Sequence, residues 1–580
     1  MSSDHKRAIG QMTTRVALSR RRVLELMSAS LGTALVAACA PAVVPVAGTA
    51  PPAAPAQTPA PPTGPSQTPA PTVGPAQTLA PASATPSTPA AQPTRGGTLR
   101  AAIVGDLTSI DGQQSLPGVS GTVGNAYESL TRYDASLQPQ PMLAETWDLS
   151  TDGRQIKLNL RKSVQFHDGR EFTSDDVKYS LLRIRDPQLA AVAGQLASQS
   201  AWWTGIDTPD KYTVVLNSDV PRPGVFDFFQ YFTIVDKNLM ESPDARTRAN
   251  GTGAFKFVEW VPGDHVTMVR HPNYWRRDLP YLDGFQTRIF RDTQAMVASL
   301  EAGALDQVDS PGLLDLVRLK ADPKYQALVI TASGQFVCIV ANTTVGPTEN
   351  KQFRQAVNYA INRKRFVDTF FKGIISDFQD LPFPPKAPAY DATRNKTYTF
   401  DLDRARSLLA ASGATSTDLE LVYSNTTFGD LNQSLAQILQ ADLATIGVNM
   451  TLRPVDFATQ FDVASKRAYQ GLLLSSGSSA QLTEASSFLT RSRFYSPDPT
   501  TSFTGLNNAM YQQLIGMAAT EPDAAKRKDL YGQIQDIILD ESAAMSVSLY
   551  PQTGLATSNV HGLDYDSRPA LSYATAWLAA

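Results

Sequence analysis

The sequence is poor in the residues that most often carry disulfides, metals or catalysis: its 580 residues include two cysteines and five histidines. If Cys39 is lipidated, Cys338 has no partner and the folded body contains no disulfide. Cys338 lies in the apolar run of residues 336–341, so we expect it to be a buried strand thiol. The histidines are scattered, and the sequence lacks the nucleophile-elbow, zinc-helix and phosphate-loop motifs. We therefore expect no enzyme, no cofactor and no metal site.

An excess of charge of one sign is also lacking. Lysine and arginine number 51, aspartate and glutamate 54, and the formal net charge is -3. Without a basic stripe the sequence predicts no nucleic-acid partner, and without an acidic excess it predicts no strongly basic one. The composition, 42% hydrophobic and 18% charged, indicates a folded protein, and a chain of this length suggests several domains.

The N-terminal region has the features of an export signal. Residues 19–24 resemble the twin-arginine signal, with Arg20 and Arg21 as its pair. The apolar run of residues 31–38 is far shorter than the ~20 residues that span a bilayer. The residues before Cys39 then resemble a bacterial lipobox, in which this cysteine is lipidated; the alternative is an ordinary signal peptide with an incidental cysteine. We favour residues 1–39 as a twin-arginine lipoprotein signal peptide.

Residues 40–94 are a low-complexity segment dominated by proline, alanine and threonine, with an imperfect repeat that begins at Pro55, Pro65 and Pro75. Such a segment has few large apolar side chains to offset its ordering entropy, and proline keeps it extended. We expect a disordered stalk. A lipid at Cys39 and a stalk predict an extracytoplasmic, membrane-anchored protein, in the periplasmic space or on the outer face of the cytoplasmic membrane.

The most informative stretch of the remaining chain is residues 141–183. Residues 156–160 alternate between apolar and polar as in a half-buried strand, and Asp168-Gly169 is a turn signal. A helix should follow, capped by Thr173 or Ser174. These patterns predict a strand, a turn and a helix, but no chemistry.

The same stretch contains sequence motifs of a known family. Residues 143–153 and 160–173 reproduce a run written LAE-W-S-DG followed by LR--V-FHDG--FT. This run resembles the opening of the family 5 solute-binding proteins of ABC importers, the dipeptide, oligopeptide and nickel receptors. Three later segments also resemble the family: residues 250–256, 353–363 and 521–541. The similarity therefore covers nearly everything from Arg95 to Tyr550. Residues 125–134 match too, and we expect a helix there.

The resemblance implies an α/β protein with a two-lobed, periplasmic-binding-protein-like fold of the large type II, with an extra subdomain in the first lobe. Predicted helices and strands also alternate over residues 342–454, as an α/β fold requires. The implied boundaries are lobe I at 95–335 with a subdomain at about 115–205, lobe II at 336–548, and a C-terminal return to lobe I at 549–580, with crossovers near Gln335 and Tyr550.

The function implied by the resemblance is that of a monomeric receptor. It would capture a peptide or other polar solute between two lobes and deliver it to the permease subunits of an ABC transporter. Two alternatives remain open, a stalked cell-surface sensor or adhesin and a secreted hydrolase using carboxylates. Tight binding without turnover would distinguish the receptor from the hydrolase, and neighbouring importer genes would distinguish it from the sensor.

The candidate ligand-binding residues are Asp111, Trp202, Trp203, Tyr423, Asn425, Ser476 and Ser478. Asp111 lies in a loop that is near the ligand cleft in the family, although a plain turn role is the alternative. The Trp202-Trp203 pair could form an aromatic wall or simply pack in the core, and we favour packing.

Residues 475–480 are predicted to be a serine-rich loop. Peptide-binding members of the family have an acidic residue here that can bind the ammonium group of a peptide, whereas this chain has none, and Glu484 is not a clear replacement. Without a fixed carboxylate the site cannot form the charge-assisted pair that offsets desolvation of an ammonium group. We therefore expect neutral oligosaccharides or other polar solutes to bind better than short peptides.

Overall fold

The structure is a computed structural model, and it describes residues 92–107, 109–114, 121–134, 136–189, 196–197, 200–330, 334–478, 483–565 and 571–579. Every described residue belongs to one compact unit of the chain, residues 88–580. The predicted signal peptide with Arg20, Arg21 and Cys39, and the predicted stalk as far as residue 91, lie outside the described residues.

The strands of the described residues, numbered in chain order, are β1 (Thr98–Val104), β2 (Thr131–Tyr133), β3 (Pro139–Pro141), β4 (Ala144–Leu149), β5 (Gln155–Leu160), β6 (Gly205–Asp210), β7 (Thr213–Asn217), β8 (Phe255–Val261), β9 (His265–Arg270), β10 (Gly284–Phe290), β11 (Gln307–Asp309), β12 (Tyr325–Ile330), β13 (Gln335–Ala341), β14 (Asp418–Ser424), β15 (Asn449–Val455), β16 (Gly471–Ser478), β17 (Ala544–Leu549), β18 (Gln552–Thr557), β19 (Val560–His561), β20 (Asp564–Tyr565), β21 (Leu571–Ser572) and β22 (Trp577–Leu578).

The helices, numbered in the same way, are α1 (Ser174–Arg183), α2 (Val225–Tyr231), α3 (Lys237–Met240), α4 (Thr293–Glu301), α5 (Leu313–Leu319), α6 (Lys351–Ala360), α7 (Arg363–Phe371), α8 (Leu402–Ala411), α9 (Gly429–Ala444), α10 (Phe457–Ser465), α11 (Ala485–Arg491), α12 (Ala509–Thr520) and α13 (Ala524–Glu541). Among the described residues, no helix combines the length and the apolar character needed to cross a membrane.

The first lobe is built on a seven-stranded sheet in the order β12-β18-β11-β1-β10-β9-β8. β1 runs parallel to both of its neighbours, β10 and β11. Leu99 and Ala101 are buried in one core cluster, whereas Ala102 is buried in another. The alternation shows that both faces of β1 are covered, as expected in an α/β fold.

The subdomain of the first lobe contains a four-stranded antiparallel sheet in the order β4-β5-β7-β6. Ile156, Leu158 and Leu160 of β5 are buried, as the alternation predicts. α1 begins with a capping box, in which the backbone N–H of Thr173 donates to the carboxylate of Asp176 at 2.8 Å. The sheet continues to the end of β7, which is further along the chain than the sequence-based subdomain boundary.

The second lobe has a five-stranded sheet in the order β15-β14-β16-β13-β17. Residues of β13 alternate between two core clusters, one on each face of the sheet. Cys338 is fully buried in this strand, and burial raises the pKa of its thiol. The prediction of a buried strand thiol is confirmed.

The chain passes between the two sheets at two places in its described part, from β12 to β13 and from β17 to β18. The backbone N–H of Tyr550 donates to the carbonyl oxygen of Gln335 at 2.8 Å, so the two crossovers lie side by side. Two adjacent short connections between packed lobes are typical of a hinge.

The region of residues 125–134, expected to be a helix, contains a short 3-10 turn and strand β2 instead. The side chain of Asn125 accepts a hydrogen bond from the backbone N–H of Tyr573 at 2.8 Å. A β-carbon at Gly251 would lie 1.9 Å from the carbonyl oxygen of Ala126. Contacts from distant segments therefore fix this backbone and override its local helical pattern.

Candidate functional site

The carboxyl ends of β14 and β16 lie at one edge of the five-stranded sheet. The two strands are parallel, with Tyr423 opposite Leu474. β13 begins at the same edge, where Gln335 pairs with Ser478, and β17 ends there with Leu549 paired to Phe336. Both crossovers to the first lobe are located here. This edge of the second lobe is therefore the one that lies next to the hinge. Open α/β sheets bind ligands outside the carboxyl ends of their strands.

This edge brings together three of the predicted ligand-binding residues. Asn425 follows β14 and is exposed, Ser476 is half-buried in β16, and Ser478 is the last residue of that strand. Residues 475–478 are strand rather than the expected loop, because their backbone pairs with β13. Tyr423 is 5% exposed and packs in the core of the second lobe, so its side chain belongs to the interior.

Asp111 lies apart from this edge, in the interior of the first lobe. Its carboxylate accepts a hydrogen bond from Nη2 of Arg183 at 2.6 Å and another from the backbone N–H of Gln113 at 3.0 Å. The side chain is buried. Through these contacts the carboxylate holds the loop of Asp111 against the end of α1.

Trp202 and Trp203 occupy different environments. Trp203 is buried, its ring centroid lies 5.3 Å from that of Phe228, and the guanidinium of Arg185 lies 4.3 Å from its ring. Trp203 is therefore a packing residue in this structure. Trp202 is half-buried and lines a cavity between the lobes.

A buried acid joins the subdomain of the first lobe to the second lobe. Asp227 of α2 accepts hydrogen bonds from the backbone N–H of Glu484 at 2.9 Å and from the hydroxyl of Thr483 at 2.5 Å. The hydroxyl of Tyr133 donates to the same carboxylate at 2.8 Å. Burial raises the pKa of Asp227, and these hydrogen bonds oppose the rise. The contact ties the subdomain of the first lobe to the second lobe.

Glu484 is the acidic residue nearest to the expected ammonium-binding position, and its carboxylate is engaged within the second lobe. It accepts hydrogen bonds from the hydroxyls of Tyr531 and of Ser486, the latter at 2.6 Å, and forms an ion pair with Nε of Arg527 at 3.4 Å. Burial raises the pKa of Glu484 to about 7. A carboxylate held in this way is not placed to bind the ammonium group of a peptide.

A second contact between the lobes lies near the crossovers. Nζ of Lys320 in the first lobe donates to the carbonyl oxygen of Gly373 in the second lobe at 3.2 Å. Leu313 at the start of α5 packs against a core cluster of the second lobe. The lobes therefore touch at the hinge side and at Asp227.

A cavity of about 330 Å³ lies between the lobes, next to the Asp227 contact. Residues from the subdomain and from the second lobe line it, among them Trp202, Arg222, Phe228, Glu484, Thr490 and Arg491. Its volume lies at the lower end of the range for ligand pockets. The lining combines aromatic rings with two guanidinium groups and the carboxyl group of Glu484.

Exposed aromatic residues lie at the edge described above. Phe428 follows β14 and is 38% exposed; Phe457 and Phe461 follow β15 and are 51% and 43% exposed. The ring of Phe428 lies 4.9 Å from that of Tyr550 at the crossover. Sequence analysis missed these residues, although an aromatic side chain directly after a predicted strand end was a usable signal. Exposed aromatic surface of this kind is common at binding sites.

Two of the described histidines lie side by side in the first lobe. His167 and His271 lie with ring centroids 4.9 Å apart, and both contact the carbonyl oxygen of Gly253. Burial lowers the pKa of both, that of His167 to about 3. In the part of the chain that the structure describes, no cluster of three or more His, Cys, Asp or Glu residues could hold a metal ion.

Comparison with known proteins places these features in a wider context. The sequence model of the bacterial extracellular solute-binding proteins, family 5, middle, matches residues 138–498, which is more than half of the chain. Heme-binding protein A of Haemophilus influenzae is 27% identical over 466 residues, covering 74% of this chain and 83% of the relative. The glutathione-binding protein GsiB of Shigella flexneri serotype 5b is 27% identical over 459 residues, covering 76% and 87%.

Solved structures agree with the fold. The ABC transporter substrate-binding protein CtaP of Listeria monocytogenes superposes with a TM-score of 0.75 at 20% identity, over 84% of this chain and 100% of that chain. At this level of identity the likeness shows the fold alone. The predicted two-lobed α/β fold is confirmed by this match and by the two sheets with their crossovers.

Proposed function

Because this chain belongs to the bacterial extracellular solute-binding proteins of family 5, we propose that it captures a peptide or other polar solute between its lobes and delivers that solute, chemically unchanged, to the permease of an ABC importer. Members of this family are binding proteins. The observation that carries the proposal is the ligand-sized cavity between two lobes that are joined by adjacent crossovers.

The mechanism follows from the hinge. A solute that contacts both lobes binds more tightly when they are closed, so it shifts the population toward the closed form. The exposed rings of Phe428, Phe457 and Phe461 lie at the hinge side of the second lobe and supply apolar surface for such a solute. The closed form then differs in shape from the empty protein, which is what a permease can recognise.

The acids between the lobes support a receptor that binds its solute without turnover better than they support a hydrolase. The carboxylate of Asp227 accepts hydrogen bonds from Tyr133, Thr483 and Glu484 in the lobe contact. That of Glu484 is engaged by Tyr531, Ser486 and Arg527. A general acid or base must reach a substrate proton within hydrogen-bond distance. Carboxylates held by the protein itself support a receptor, not a hydrolase.

We extend the proposal to the location of the protein. Lipid on Cys39 would hold it at the membrane, residues 40–94 would act as the stalk, and Arg20 with Arg21 would direct export of the folded protein. The family is extracellular, which supports a site of action outside the cytoplasm. A monomer with one solute per chain is the simplest form of such a receptor.

A thermal-shift screen of peptides, oligosaccharides, haem and metal chelates tests the proposed function. A solute at a hundred times its dissociation constant should stabilise the protein by roughly 2.7 kcal/mol. Titration calorimetry should then give one site per chain, and mass spectrometry should recover the solute intact. Recovery of reaction products, or no shift with any class of solute, would contradict the proposal.

Two matched variants locate the site. Phe457→Ala should lower the affinity for the solute found in the screen, because Phe457 lies at the proposed binding edge. Phe400→Ala removes a ring that is similarly exposed, at 41%, but lies before α8 and outside that edge. It should leave the affinity unchanged. Equal effects of the two variants would place the solute elsewhere.

A further inference from the structure

We propose that the cavity between the first-lobe residues Trp202 and Arg222 and the second-lobe helix α11 is a subsite for an oxyanion, a carboxylate or a phosphate, carried beside an aromatic or other apolar part of the solute. This inference rests on the proposed capture of a solute between the lobes. It narrows the solute to a class that the family does not specify, an organic anion.

Arg222 is the main argument for an anion. It lies in the loop between β7 and α2, where its backbone N–H donates to the carbonyl oxygen of Gly153 at 2.9 Å. Its Nε atom is enclosed by the protein without a hydrogen-bond partner among the described residues, so a ligand in the cavity would pair with the terminal nitrogens of the guanidinium. Burial lowers the pKa of this guanidinium, which as an arginine stays charged. A half-buried cation without an anion costs free energy, and an anionic ligand would recover that cost.

Arg491 supplies a second guanidinium from the opposite lobe. Its Nε donates to the carbonyl oxygen of Ser487 at 2.9 Å, which holds the side chain along α11. Burial lowers its pKa to about 10, and the negative charge of Asp227 opposes this change. Glu484 also lines the cavity, and its carboxylate pairs with Arg527 and accepts hydrogen bonds from Tyr531 and Ser486. The carboxylate of Asp227 is engaged in the lobe contact. Cations from both lobes therefore face a shared space, and an anion between them would favour closure.

Aromatic side chains form the apolar side of the same cavity. Trp202 and Phe228 both line it, with ring centroids 6.1 Å apart at an interplanar angle of 82°. Val225 and Pro223 extend the apolar surface. A volume of about 330 Å³ accommodates one end of a solute of moderate size. The part that enters should therefore carry the charge next to a ring or an alkyl group.

Other solute classes fit the cavity less well. A neutral hydroxyl-rich group would leave Arg222 without a counter-charge, and an ammonium group would meet two like charges. The expectation of a neutral solute was based on the missing carboxylate at residues 475–480. An organic anion needs no such carboxylate, so both observations agree with this class.

A matched pair of probes tests the subsite. Phenylacetate and phenylacetamide have the same shape, but only the first is an anion at neutral pH. Titration calorimetry on the full protein should show that phenylacetate binds and that phenylacetamide binds at least about tenfold more weakly. Phenyl phosphate in the same assay distinguishes a phosphate preference from a carboxylate preference. Either anion binding with this selectivity supports the oxyanion subsite.

The variants Arg222→Gln and Arg277→Gln make the assignment specific. Each removes one positive charge, but Arg277 is exposed and does not line the cavity. Arg222→Gln should weaken anion binding at least about tenfold, and Arg277→Gln should leave it unchanged. The melting temperature of ligand-free Arg222→Gln should equal or exceed that of the wild type, because a cation without a partner is removed. If Arg222 had only a structural role, the variant Arg222→Gln would melt at a lower temperature than the wild type.

Several results would overturn the subsite: no binding of either anionic probe, equal binding of phenylacetate and phenylacetamide, or unchanged anion binding by Arg222→Gln. A solute found in the broad screen that binds the wild type and Arg222→Gln equally would also overturn it, while leaving the receptor function in place. If that screen finds no solute of any class, both the receptor function and the subsite fall.

Discussion

Replacing Glu484 with glutamine should change how the stability of this protein depends on pH. Burial raises the pKa of Glu484 from its ordinary value of 4.5 to about 7, while a hydrogen bond from Ser486 and the charge of Arg527 oppose the rise. Glutamine keeps the size of the side chain, and its Oε1 can still accept from Tyr531 and Ser486. The substitution therefore removes the titration with little change in packing.

The sign follows from linkage between proton binding and folding. A carboxyl group whose pKa is raised on folding binds its proton more tightly in the folded state, so the wild type loses stability as the pH rises from about 4.5 to about 7. The separation of these two values corresponds to about 3 kcal/mol at 1.36 kcal/mol per pKa unit. Above the folded pKa the loss is complete. Asp227 shifts in the same direction and is present in both proteins, and its negative charge adds to the rise at Glu484.

Chemical denaturation of the wild type and Glu484→Gln at pH values between about 4.5 and 7.5 measures this difference. The stability of the variant relative to the wild type should increase by about 3 kcal/mol over that range. Glu145→Gln, at a glutamate that is 59% exposed, is the control and should follow the wild type. Parallel pH curves for the wild type and Glu484→Gln would refute the reasoning.

Three further predictions concern the anchor, the lobe contact and a close approach of two backbone segments at Gly251. A Cys39→Ala protein should leave the membrane fraction on cell fractionation; if it stays there with intact yield, the anchor lies elsewhere. Asp227→Asn should lower the free energy of unfolding by about 1–3 kcal/mol, because the amide cannot accept all the hydrogen bonds of the carboxylate, and an unchanged calorimetric melting curve would contradict this. Gly251→Ala should destabilise by more than about 3 kcal/mol, because its β-carbon would lie 1.9 Å from a backbone oxygen. Gly516→Ala in α12, where a β-carbon has nothing within 4 Å, should instead stabilise by about 0.5–1 kcal/mol, and equal melting temperatures for the two glycine variants would refute the close approach.

The elements that could be predicted from the sequence are those that depend on neighbouring residues. β5 follows from the alternation at Ile156, Leu158 and Leu160, and the start of α1 follows from the cap at Thr173. Both signals lie within a few residues of the structure they specify. The lobe architecture followed from a resemblance that spans most of the chain, and the strand order of the two sheets agrees with it.

The missed features depend on contacts between distant segments. The backbone around Asn125 is fixed by Tyr573, and residues 475–478 are strand because they pair with β13. Arg222 and Arg491 carry no local motif, and they share a cavity only because the two lobes meet. No pattern within either segment could have paired them.

The charged groups between the lobes divide into two kinds. Asp227 accepts hydrogen bonds from both lobes, so its negative charge is balanced inside the protein and serves the contact itself. The pKa of Arg222 is lowered by burial alone, with no acid of the described chain beside the guanidinium, and such a charge is costly to keep unless something outside the chain pairs with it. Substitutions at Asp227 and Arg222 should therefore have different effects on stability and on affinity. Loss of the Asp227 carboxylate should lower stability with or without solute, whereas loss of the Arg222 guanidinium should lower affinity for an anion and leave the empty protein at least as stable.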